Sequence, residues 1–297
     1  MRQSDLERIW ERDILPVISV QAVPDRLPTT VFLGGQPAAG KTRAQRILTR
    51  LCRELPLPIV GDDFRRFHPD YESLIRTSPL SMPYETAQAA GYWTGRAVEY
   101  ADVRGVSCII EGTWRDSSTV SDEAARAKSL GRRARAVLLA VPPVLSRIGL
   151  LSRFYWDVHS GRPARWTPPE AHEATVSSLP VNVRKIAFSG LFDDFSVMDR
   201  SGQLLYDGAD PESFVSVWLD RFAGPLAADE LEAAERDLES VLKWREGSGI
   251  GMEETRTLLS AIKSDLEGMR PSVARDGTPS ARPRPRSASH KRSRYHR

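Results

Sequence analysis

Apolar positions along the chain alternate between two periods. Ile9, Trp10, Ile14 and Leu15 recur near helical spacing, and Pro16 is expected to end that helix because its ring blocks the next turn. After a loop rich in Pro and Asp, TTVFL (29–33) is a short β-branched and apolar run before Gly34 and Gly35, the pattern of a buried parallel strand. A helix follows over 42–55, with Ala44, Ile47, Leu48 and Leu51 on one face, and PIVGD, punctuated by Pro56 and Pro58, is a second strand. The spacing then predicts a helix over 85–103, a strand in VSCIIEG (106–112), a helix over 121–130 stopped by Gly131, and a strand in ARAVLLAV (134–141). Such alternation predicts a parallel sheet with helices on both faces, joined by right-handed crossovers.

The second half is more helical. Helices are expected over 144–156 and 168–187, separated by the polar loop HSGRPARW. FSVMD and QLLYDG flank Ser201-Gly202 as a short hairpin or edge pair, and 211–222 is another helix. A charged segment, 226–245, puts Leu231, Leu238, Val241 and Leu242 on one stripe, and a last helix runs from the GSGIG break to about residue 269. The tail 271–297 is almost free of apolar residues and is expected to be disordered.

Composition refines this picture. At 297 residues the chain is long enough for one large domain or two small ones. Its net charge of +3 conceals an asymmetry, since 271–297 carries eight Arg or Lys against one Asp and leaves the rest mildly acidic. The folded part therefore gives no compositional reason to bind nucleic acid, and only weak, nonspecific phosphate attraction by the tail is expected. No run approaches the ~18 apolar residues of a membrane span, and MRQSDLERIWERDIL lacks the apolar centre of a secretory signal. Cys52 and Cys108 stand in apolar surroundings without CxxC spacing or a nearby His cluster, as expected of buried free thiols in a cytoplasmic protein.

One motif carries the chemistry. Gly35-Gln36-Pro37-Ala38-Ala39-Gly40-Lys41-Thr42 matches GxxxxGK[ST] and falls between a predicted strand and a predicted helix. Glycines let main-chain N–H groups turn inward into an anion nest, and the following helix adds the positive end of its dipole. Lys41 is then placed to reach the β- and γ-phosphates of ATP, and the Thr42 hydroxyl to ligate Mg²⁺. Phosphoryl transfer further needs a base and cations. In doubly wound sheets these belong at the carboxyl ends of strands, where the chain has Asp62, Asp63 and Glu111. Asp62 or Asp63 is equally suited to capping the next helix. Arg153, Arg162 and Arg165 are candidate cations; by themselves they are equally consistent with solvated surface arginines.

GGQPAAGKT, GDDFRRFHPDY, IEGTWR and the arginines at 153–165, in this order over about residues 29–206, resemble the zeta toxins of bacterial toxin–antitoxin systems. The resemblance implies a P-loop kinase that uses ATP and Mg²⁺ to phosphorylate the 3′-hydroxyl of the amino sugar in UDP-N-acetylglucosamine. It implies Asp62 as catalytic base, Glu111, Thr113 and Arg115 as the sugar-binding EGTxR motif, and Arg153 and Arg165 as a clamp on the γ-phosphate. Arg65 and His68 fall on the family's F-R-x-x-H-P and are expected to shape that loop. Asp63 takes a place usually held by Ser or Thr. The family's acidic residue on the helix before EGTxR aligns to Gly95, and Glu99 lies one turn later. A small helical antitoxin covering the ATP site is the implied partner.

The expected organisation is thus α/β, P-loop NTPase/kinase-like: an N-terminal helix and linker (1–28), a kinase domain (29–222), a helical extension (223–270) and the basic tail (271–297). Two other readings share the phosphate loop. One is a kinase with a different hydroxyl acceptor, such as a nicotinamide nucleotide or an antibiotic; the other is a nucleotide-binding interaction module.

Overall fold

A computed structural model describes every residue except Gln21, Arg53 and 270–297, so the expectation for the basic tail lies outside the described residues. The chain opens with α1 (Gln3–Ile9), a π-helical turn (Trp10–Ile14) and α2 (Leu15–Ser19). Pro16 does not end this helix. The wider π turn ahead of it accommodates a residue without an N–H, and the chain continues helically to Ser19.

Then come β1 (Thr29–Gly34), α3 (Lys41–Leu51), β2 (Leu57–Val60), α4 (Gly61–Phe64), α5 (Tyr71–Thr77), α6 (Met82–Glu85), α7 (Ala87–Val103) and β3 (Cys108–Glu111). The rest is α8 (Ser117–Ser129), β4 (Arg133–Leu139), α9 (Pro143–His159), α10 (Pro169–Ala187), β5 (Asp194–Met198), β6 (Leu204–Gly208), α11 (Pro211–Ala223), α12 (Ala228–Ser248) and α13 (Arg256–Met269). Several expected bounds move, among them the start of α8, at Ser117 rather than 121, and the end of α9, at His159 rather than 156. The helix after the phosphate loop stops at Leu51 rather than 55, and Gly61 and Asp62, read as the end of a strand, begin the one-turn α4.

One six-stranded sheet has the order β2-β3-β1-β4-β5-β6. The first five strands run parallel; β6 returns antiparallel to β5, so the expected hairpin is the edge of the main sheet. Side chains alternate across it with the strand period of two. Val31, Leu33, Val137 and Leu139 face a core shared with α9, α12 and α13. Phe32, Ala136 and Leu138 face the other side, where α8, α10 and α11 pack with Trp218 fully buried. A third cluster joins the N-terminal helices to α7 and β2 through Trp10, Ile14, Trp93 and Ile59.

Both cysteines are free; Cys108 is buried, whereas Cys52 is only half-buried. Among the described residues no helix is long and apolar enough to cross a membrane.

Candidate active site

β1 delivers the chain into the phosphate loop, and three residues there hold positive φ: Gly35 (148°), Ala38 (62°) and Gly40 (102°). At Gly40 this left-handed conformation turns the backbone directly into α3, a geometry that suits glycine. Pro37, Ala38, Gly40, Lys41 and Thr42 line a cleft of about 810 Å³ at the carboxyl ends of β1, β2 and β3. Gln36 and Ala39 are fully buried beneath it and do not line it. The Lys41 ammonium is folded onto the loop, donating to the carbonyls of Gly35 (2.8 Å) and Gln36 (3.1 Å). It also lies 4.0 Å from Glu111 Oε1. Burial pushes its pKa down, partly opposed by Glu111 and Asp62 and reinforced by Arg153.

The other candidates meet in the same cleft. Asp62, on the turn that starts α4, accepts from Arg65 Nε at 2.8 Å. Desolvation acts to raise its pKa, but the Arg65 hydrogen bond and the charges of Arg65, Arg153 and Arg165 overcome it and hold the carboxyl below its ordinary value. Arg65 also donates to the Pro83 carbonyl (2.6 Å) and to Thr86 Oγ1 (2.7 Å), tying the Asp62 turn to α6 and α7. His68 Nδ1 accepts from the Asp70 N–H at 3.2 Å, within the same loop.

Arg153 reaches Thr167 Oγ1 at 3.0 Å, and its pKa is lowered by desolvation against the attraction of Asp62. Arg165 contacts Asp63 Oδ1 at 3.4 Å from the opposite rim. Arg162 stands outside this group, paired with Asp157 at 3.0 Å and lying over the Trp156 ring.

Glu111, at the end of β3, has its pKa raised, mainly by desolvation, with Lys41 opposing and Asp62 and Asp63 adding to the rise. Its Oε2 is buried without a hydrogen-bond partner. Thr113 and Arg115 follow on the cleft wall.

Several contributors carry no local signal in the sequence. Trp114 adopts φ 57° and packs against Gly34. Asn182 of α10 holds the turn in place by donating to the carbonyls of Trp114 (3.0 Å) and Arg115 (2.6 Å). Gly91 and Thr94 form part of the α7 wall. Glu99 does not enter the cleft; it pairs with Arg96 at 2.5 Å, beside Glu7 of α1.

The sequence model of the zeta toxin family matches residues 17–210. The chain belongs to this family. It is 28% identical over 188 residues to toxin zeta of Enterococcus hirae, a stretch that is 63% of this chain and 65% of that protein. It thus spans just under two thirds of that relative's length. It is 31% identical over 182 residues to toxin PezT of Streptococcus pneumoniae, covering 61% of this chain and 72% of that one.

Among solved structures it is similar to one from the PezAT chromosomal toxin–antitoxin system of S. pneumoniae. The TM-score is 0.71 at 25% identity, over 82% of this chain and 98% of the other. A structure of AvrRxo1-ORF1:-ORF2 with ATP matches at TM-score 0.51 and 14% identity over 89% of this chain and 90% of that one, a likeness of fold alone.

Proposed function

We propose that this chain is an ATP-dependent phosphotransferase that phosphorylates the 3′-hydroxyl of the amino sugar of UDP-N-acetylglucosamine, as the toxin of a toxin–antitoxin pair in the cytoplasm. The observation that carries the reading is the convergence of Lys41, Asp62, Arg153 and Arg165 on one cleft at the carboxyl ends of the parallel strands.

The residues present fit a nucleotide and its metal. The Lys41 ammonium rests on two carbonyls of its own loop, contacts that phosphate oxygens replace with stronger charge-assisted ones. Thr42 Oγ1 has no partner among the described residues and would hold Mg²⁺. No cage of three or more His, Cys, Asp or Glu forms among those residues, so the ion's remaining ligands would be phosphate oxygens and water. When bound, Mg²⁺ supplies charge neutralisation between the phosphates.

Asp62, kept ionised at neutral pH by its arginine neighbours, accepts the proton of the acceptor hydroxyl as that oxygen attacks the γ-phosphorus. Arg153 and Arg165 offset the charge spreading over the transferred group. Glu111, Thr113 and Arg115 hold the sugar; the unpartnered Glu111 Oε2 is an acceptor that a ligand donor completes. A small helical antitoxin covering this cleft is the partner, a reading supported by the PezAT likeness.

One observation favours another hydroxyl acceptor. The α7 wall (Ala87, Ala90, Gly91, Thr94) is small and uncharged, and Glu99 is turned away from it.

Mass spectrometry of a reaction with ATP and UDP-N-acetylglucosamine tests the proposal. A gain of about 80 Da on the sugar nucleotide, the mass of one transferred HPO₃ unit, is expected. ATP turnover with no such gain would move the assignment to another acceptor, sought with a panel of hydroxyl compounds.

A further inference from the structure

Beneath the cleft runs a line of side-chain hydrogen bonds that the reaction above does not use. Gln36 donates its side-chain amide to the Val141 carbonyl (2.7 Å) and to Ser146 Oγ (3.3 Å). Ser146 Oγ lies 2.9 Å from His172 Nε2 and 2.9 Å from the Pro143 carbonyl. His172 Nδ1 lies 2.8 Å from Glu173 Oε1. Glu173 accepts two further bonds from Arg147, at 3.0 and 2.7 Å, and Arg147 reaches Asp265 of α13 at 2.5 Å. Gln36, Ser146 and His172 are each 0% exposed.

The chemistry of the groups gives this line a direction. A carboxylate only accepts, so His172 carries its proton on Nδ1, toward Glu173. The Ser146 hydroxyl has one proton, for which the Pro143 carbonyl and His172 Nε2 compete, and the Ser146 oxygen accepts from the Gln36 amide in either case. The Gln36 amide cannot be turned round, since its oxygen would then face the Val141 carbonyl. Held this way, Gln36 Oε1 is left buried and unpartnered. Polar groups in a dry interior cost free energy that an apolar filling avoids, so fold stability alone is a poor account of this arrangement.

The line ends at the reacting machinery. The main-chain carbonyl of Gln36 is one of the two that hold Lys41. Pinning the Gln36 side chain to the interior fixes the peptide on which the ammonium rests.

We propose that His172 is a positioning residue for the nucleotide, acting through Ser146 and Gln36 to set the phosphate loop and the place of Lys41. The inference rests on the cleft being a nucleotide site, and it needs no knowledge of the acceptor.

The test is titration of the full chain with a non-hydrolysable β,γ-imido-ATP, alongside thermal denaturation. His172→Leu and His172→Gln both lose the contact to Glu173, but the Gln amide still reaches Ser146. The account expects His172→Leu to bind the analogue about ten-fold more weakly, as loss of roughly one well-made polar contact implies. It expects His172→Gln to stay within about two-fold of the parent, a small fraction of that contact's worth. Val215→Ala, in the core on the far side of the sheet, controls for general destabilisation and should melt earlier with analogue affinity intact.

Equal affinity of the Leu and Gln variants would overturn the relay, as would a loss in Val215→Ala matching that in His172→Leu. A parent that does not bind the analogue would overturn the nucleotide reading itself, a result distinct from either.

Discussion

Asn182 offers a quantitative probe of how the cleft wall is built. Its side-chain N–H groups are donated to the carbonyls of Trp114 and Arg115, at 3.0 and 2.6 Å, and the residue is 8% exposed. The turn it holds contains Trp114 in a left-handed conformation, which costs on the order of 1–3 kcal/mol unless its surroundings enforce it. Asn182→Ala removes both donors and leaves buried acceptors unpaired, a loss of about 2 kcal/mol. For a chain of this size, with about 2.1 cal/mol/K of unfolding entropy per residue, that corresponds to a fall in Tm of roughly 3–4 °C. Asn182→Asp should be worse, because a carboxylate would face two carbonyl oxygens with nothing to donate.

Thr113 and Arg115 flank Trp114, so the same variants should raise the KM for the acceptor and leave the KM for ATP nearly unchanged. Thermal denaturation and steady-state kinetics together check this. If Asn182→Asp melts with the parent, or above Asn182→Ala, the reasoning about the turn is refuted.

Three further outcomes follow from contacts elsewhere. A Cβ at Gly34 would fall 2.4 Å from the Trp114 ring, so Gly34→Ala should disrupt β1 or expel the tryptophan, visible as lost intensity in near-UV circular dichroism. Glu173, with its pKa lowered to about 2 from 4.5 despite desolvation, by His172 and Arg147, contributes stability that is present above pH 4.5 and lost as pH falls toward 2. The Tm gap between the parent and Glu173→Gln should therefore narrow over that interval. Arg65→Gln removes the largest influence holding the Asp62 carboxyl low, so the acid limb of kcat/KM should move to higher pH, read from a pH–rate profile.

Much of the fold was legible because its signals are local. Four of the five parallel strands read as short apolar runs, β5 reads only as half of a hairpin, and GQPAAGKT announces its loop through glycine spacing. Pro16 misled because the π turn that accommodates it has no mark of its own in the sequence. At the site, residues adjacent to strand ends were found, and the structure brings Asp62, Glu111, Arg153 and Arg165 to one cleft. Asn182 and His172 carry no signal because a deciding partner of each lies elsewhere along the chain, Trp114 at 68 residues from Asn182 and Ser146 at 26 from His172. A buried polar residue on a helix looks like any other until the opposing surface is known.

In the proposed reaction the phosphate loop grips ATP while the neighbouring Asp62 carboxylate takes the acceptor's proton. Asp62→Asn, assayed for both analogue binding and phosphoryl transfer in the same preparation, tests it most directly. Nucleotide affinity should stay close to the parent's and turnover should fall by about 10²-fold or more, the usual worth of a general base. Turnover retained at the parent's level with ATP bound normally would contradict it.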